Sequence, residues 1–65
     1  MNYTIKDGDA VLGTFSVVEA SDPAIASGVA SALSLPVGTS ISVHAASGGD
    51  YVASYGDTVL TVEAG

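Results

Sequence analysis

Between Pro23 and Pro36 apolar residues recur at a helical interval: Ile25, Val29 and Leu33 stand four positions apart, with Ala32 beside them. That spacing lines one face of a helix. Its start is marked by Ser21-Asp22-Pro23, in which Ser21 or Asp22 can cap free backbone amides, Asp22 suits the positive end of the helix dipole, and Pro23 fits the first turn. The pattern predicts one helix within residues 22–35. Ala26, Gly28 and Ala30 would let a sheet or another helix approach it closely.

The rest of the chain buries its apolar groups at period two. Tyr3 and Ile5 share one face of a strand that Asp7-Gly8 ends in a tight turn. A returning strand from Ala10 to Val18 places Val11, Phe15 and Val17 on one face and Leu12, Thr14, Ser16 and Val18 on the other, with Gly13 as a candidate bulge. After the helix, Thr39 to Ala45 alternates, with Ile41, Val43 and Ala45 inward and Ser42 and His44 outward. Turns at Ser47-Gly48-Gly49-Asp50 and Gly56-Asp57 then separate strands Tyr51 to Tyr55 and Thr58 to Glu63. The expected fold is therefore α+β, a single domain over residues 1–65 with elements in the order β-β-α-β-β-β and one helix covering one face of an antiparallel sheet. Its expected core is Ile25, Val29, Leu33, Phe15, Val17, Ile41 and Val43.

An internal echo accompanies this order. Tyr3, Gly8, Asp9, Val11 and Leu12 match Tyr51, Gly56, Asp57, Val59 and Leu60 at a constant offset of 48, and Val18-Glu19-Ala20 recurs as Val62-Glu63-Ala64. Two hairpins that independently use common strand and turn residues would produce such a match, and so would a pair of related hairpins.

Charge excludes several function classes. Seven acids (Asp7, Asp9, Glu19, Asp22, Asp50, Asp57 and Glu63) face a single base, Lys6, for a net charge of −6. Affinity for phosphate backbones comes from Lys and Arg displacing counterions, so neither DNA nor RNA is an expected partner, and an anionic membrane surface would repel the chain. No run approaches the ~20 apolar residues of a membrane span. The polar start lacks the apolar core of a signal peptide, so no secretion is expected and the cytoplasm is one expected location. Without cysteine there is neither a disulfide nor a thiolate metal site to reinforce the fold. A chain this short buries only about 60% of its unfolded surface, and its stability is correspondingly marginal.

Candidate chemistry is sparse. His44 is the only histidine and reads as a solvated or interface residue; Ser47 and Asp50 lie nearby in sequence but in a glycine-rich turn without a nucleophile elbow. Asp7-Gly8-Asp9 supplies two carboxylates, far from the six or more oxygens a calcium loop needs. Gly38, Gly48 and Gly49 fit no phosphate-binding fingerprint. The reading is a protein with no enzymatic activity, no metal and no cofactor.

What remains is the lack of charge on the strands. Residues 10–18, 39–46, 51–55 and 58–62 carry none, whereas exposed edge strands are usually guarded by lysine or other charges. Leu12, Val18 and Val52 add apolar area on the second face, with Leu60 counted beside them. The expected partner-binding residues are Leu12, Thr14, Ser16, Val18 and Val52, serving association with copies of the chain or with a larger assembly. Short, cysteine-free, acidic and rich in Ala, Val, Gly, Ser and Thr, the chain resembles the small head-decoration (cement) proteins of tailed bacteriophages. The resemblance is one of composition and transfers no residue role. It implies a location in the virion, with many copies bound to the major capsid protein and stabilising the shell. A different class of reading is a small acidic inhibitor that blocks a basic, nucleic-acid-binding site on a partner. On either reading, direct titration with duplex DNA at physiological salt should give no binding.

Overall fold

The computed structural model describes residues 1–36 and 38–65; Val37, between Pro36 and Gly38, lies outside the described residues. Among these the order is β1 (Asn2–Asp7), β2 (Ala10–Ser16), α1 (Asp22–Ala32), β3 (Ser42–Ala45), a 3-10 turn (Ser47–Gly49), β4 (Tyr51–Tyr55) and β5 (Thr58–Ala64). The strands form one antiparallel sheet in the order β2-β1-β5-β4-β3, with both edges formed by the strands that flank the helix in sequence. The expected architecture is the one observed.

Both hairpins turn through Gly-Asp. Gly8 and Gly56 take positive φ at the first central position of a two-residue loop, which suits the right-handed twist of the flanking strands. Their registers match next to the turn, where Asp7 pairs with Ala10 and Tyr55 with Thr58. Farther out they diverge. In the first hairpin Lys6 pairs with Val11 and Ile5 with Gly13, so Leu12 is the extra residue of a β-bulge.

The helix crosses the face that carries Tyr3 and Ile5, and it packs against β2, β3 and β4. Ser21 caps it, its hydroxyl oxygen accepting from the Ala24 N–H at 3.2 Å. At the other end Ser34 adopts φ +55°, and the N–H groups of Ser34 and Leu35 donate to the carbonyls of Ser31 and Ala30 at 3.3 and 2.9 Å, which stops the helix before Pro36.

The core is Tyr3, Ile5, Ile25, Val29, Ala53, Leu60 and Val62. Ile25 and Val29 were expected there. Phe15, Val17, Leu33, Ile41 and Val43 are only half-buried against it. The difference follows from strand order: β1 and β5 occupy the middle of the sheet, so Ile5 and Val62, paired with each other, are buried completely, whereas β2 and β3 are edges. Leu60, counted on the second face from the sequence, pairs with Ala53 beneath the helix and is buried. Val11 is the converse correction, because the bulge turns it to the uncovered face beside Lys6. The second strand also ends earlier than expected, at Ser16, leaving Val18 fully exposed in the connection to the helix, and the third is confined to Ser42–Ala45. The match of Val18-Glu19-Ala20 to Val62-Glu63-Ala64 therefore has no structural counterpart, since Val62 is a buried residue of β5.

Aromatic side chains run across the covered face. The Tyr3 ring stacks on Phe15 at 5.5 Å between centroids and meets Tyr51 edge-on at 6.0 Å. Phe15 in turn lies directly against Gly28 of the helix, where an added methyl group would overlap ring atoms Cδ2, Cε2 and Cγ. Gly28→Ala should consequently lower stability by about 1–3 kcal/mol in denaturant titrations, despite a gain in helix propensity, because the ring must leave its seat. Ile5→Ala should cost about 2–5 kcal/mol and Leu33→Ala less, in keeping with their different burial.

Candidate docking surface

One face of the sheet carries no layer among the described residues. Strand registers place on it Asn2, Thr4 and Lys6 of β1, Val11, Leu12, Thr14 and Ser16 of β2, Thr61 and Glu63 of β5, and Val52 and His44 of β4 and β3. Its charges form a pair, Lys6 Nζ lying 3.2 Å from Glu63 Oε2. The pair is solvent-accessible and contributes at most about 1 kcal/mol.

The β2 edge is defined by its hydrogen bonds. The N-terminal amine donates to the Val17 carbonyl and the Val17 N–H to the Met1 carbonyl, both at 2.9 Å, so Met1 and Val17 form a doubly bonded pair. Bonded and non-bonded pairs alternate along an antiparallel ladder, which makes Asn2·Ser16 and Thr4·Thr14 non-bonded pairs. The Asn2 carbonyl accordingly faces the other way and accepts from the Gly65 N–H at 3.0 Å. The N–H and C=O of Thr14 and Ser16 therefore point away from β1, toward the free edge. The Ser16 hydroxyl donates to Asn2 Oδ1 at 2.5 Å on the open face.

Beside this edge runs an open groove of about 530 Å³ between β2 and the helix, lined among others by Phe15, Val17, Glu19, Ser27, Gly28 and Ser31. Gly28 and the serines leave the helix side of the groove low.

Of the residues expected to bind a partner, Leu12, Thr14 and Ser16 lie together, exposed, on the open face of β2. Val18 is also exposed but sits past the strand end, at the rim of the groove. Val52 shares the open face but is half-buried on β4, three strands away, or about 14 Å at the usual strand spacing. Two exposed apolar residues of this face were not singled out from the sequence, Val11 and Val59. They occupy equivalent positions in the two hairpins, opposite Lys6 and Ser54. Strict alternation across Gly13 hides Val11; the signal that reveals it is the glycine itself, read as a bulge.

The other candidate residues have structural surroundings. His44 is exposed on the open face opposite Val52, and Ser47 begins the 3-10 turn. The Asp50 carboxylate accepts from the Ala64 N–H at 2.9 Å, tying the start of β4 to the end of β5. No hydrogen bond among the described residues joins His44, Ser47 and Asp50. Asp7 and Asp9 flank Gly8 in the first hairpin turn, and among the described residues no group of three or more His, Asp or Glu side chains is placed to hold a metal ion. No helix among them is long and apolar enough to cross a membrane. Compared with protein-family models, with curated proteins and with solved structures, the chain matches none. Asp50→Ala should cost about 0.5–1.5 kcal/mol in thermal or denaturant unfolding, the worth of the bond to Ala64.

Proposed function

We propose that the chain is a non-enzymatic structural protein that works as part of an assembly, docking on a larger protein through β2 and the adjoining open face. The observation that carries this reading is the β2 edge: an uncharged strand with free backbone donors and acceptors at Thr14 and Ser16, flanked by exposed Val11, Leu12 and Val18. Proteins that remain single usually blunt such an edge with lysine, proline or a covering element. Among the described residues β2 has a bulge at Leu12 instead, and it brings apolar side chains outward. A core of seven among the described residues, in a chain this small, also makes contacts with a partner a natural supplement to stability.

The concrete form of the proposal is a capsid decoration protein, present in many copies on a viral coat protein, with the compositional resemblance as its support. A blocker of a basic site on another protein is the second reading, favoured by the exposed acids Asp7, Asp9, Glu19 and Asp22.

Thr14→Lys with Ser16→Lys tests the docking surface. Both side chains stand exposed on the open face, so the isolated fold should change by no more than about 0.5 kcal/mol, while lysines guard the edge. Sedimentation or mass photometry of wild type and variant, alone and with coat protein particles, should show the wild type at a fixed ratio to coat protein and the variant largely free. A wild type that stays monomeric and joins no particle would overturn the assembly reading.

A further inference from the structure

Resting on that reading, we propose that the occupant of the β2 edge is an extended segment of a different protein, basic at its ends, which adds to the sheet as a sixth strand. A second copy of this chain is the wrong occupant. The reason is where the acids stand. β2 itself carries no charge, but Asp7 and Asp9 lie exposed at its hairpin end and Glu19 and Asp22 lie exposed where the chain leaves it for the helix. If two copies paired along β2 in antiparallel fashion, the Asp7 and Asp9 end of one would meet the Glu19 and Asp22 end of the other, at both ends of the interface. Parallel pairing would set each end against its own like. Either arrangement places carboxylates near carboxylates, with Lys6, the one basic side chain, already bound to Glu63.

The same acids favour a strand with lysine or arginine at both ends and uncharged β-forming residues between. Its backbone would pair with the outward groups of Thr14 and Ser16. On the open side its side chains would cover Leu12. On the helix side, alternate side chains would enter the groove over Phe15 and Gly28, where Glu19 stands at the rim to meet a basic end. The far edge is less suited to the role, because β3 is only four residues long.

The test uses two end-blocked peptides of alternating threonine and valine, one with two lysines at each end and one with two glutamates, titrated into the full chain and followed by amide chemical shifts. The lysine peptide should shift Thr14, Ser16, Ser27 and Ser31 saturably, and bind about tenfold more weakly at 1 M salt, where the Debye length falls to ~3 Å. The glutamate peptide should leave these amides unmoved. Thr14→Pro removes an N–H that no bond within the fold uses, and proline is tolerated on the solvent side of an edge strand; this variant should keep the β1 and β5 shifts and lose the peptide. Should that variant not fold, Asp9→Asn with Glu19→Gln keeps the edge intact and should bind the lysine peptide several-fold more weakly. The proposal is overturned by equal binding of both peptides, by no binding, by shifts centred on Val59 and His44, or by dimerisation of the wild type that Thr14→Pro abolishes. Peptide binding at β2 by a chain that joins no particle would sink the assembly reading alone. Particle binding without peptide binding at β2 would sink only the present proposal.

Discussion

The pairing of Ile5 with Val62 closes the molecule, joining a hairpin from the start of the chain to one from its end through two completely buried side chains. Neither hairpin could bury enough apolar surface alone, since an isolated two-stranded hairpin is at best marginally stable in water. Once β1 and β5 are side by side, Tyr3, Leu60 and Ala53 form an apolar floor, and Ile25 and Val29 of the helix have somewhere to go. The helix links the two edge strands, β2 and β3, and must therefore cross the whole sheet. Five strands at about 4.8 Å span roughly 19 Å, and eleven helical residues span about 16 Å. One short helix is just long enough to cover one face, and among the described residues no element lies over the other.

Much of this was legible in the sequence because the relevant signals are local. Ser21-Asp22-Pro23 and the spacing of Ile25 and Val29 locate the helix, and Gly8-Asp9 and Gly56-Asp57 locate the hairpins. The ranking of burial was not legible, because it depends on which strands lie in the middle, and no residue in β1 or β5 announces that. Phe15 and Val17 look as apolar as Tyr3 and Ile5, yet they lie at an edge and stay half-exposed. Leu60 and Leu12 look equivalent in the internal echo, and one is core while the other is surface.

The candidate docking surface was legible to a similar depth. Leu12, Thr14 and Ser16 follow from alternation along β2 and the lack of charge there. Val52 does not belong to the same patch, because sequence alternation tells which face a residue occupies but not how many strands separate it from another. Val18 was placed on a strand that ends before it; the chain must leave the sheet after Val17 to reach the cap at Ser21.

The fate of the two echoed leucines shows how the exposed surface arises. Next to their turns the hairpins superpose in register, and Val11 and Val59 both face out. One residue later they part. In the second hairpin Leu60 takes the inward position opposite Ala53. In the first the bulge carries Leu12 out, and Gly13 takes the inward position opposite Ile5. Ala32 of the helix lies against Gly13, with its Cβ 3.7 Å from the place a side chain there would begin. A side chain at that position would already touch Ala32 at its first atom, so a leucine's branched end would compete with the helix for the space. The bulge thus exchanges a leucine for a glycine beneath the helix, so that the helix can descend onto β2. The displaced leucine is left on the open face beside an unpaired strand edge. Exposure of Leu12 is the consequence of closing the covered face, and the apolar surface it creates is what a partner strand would cover.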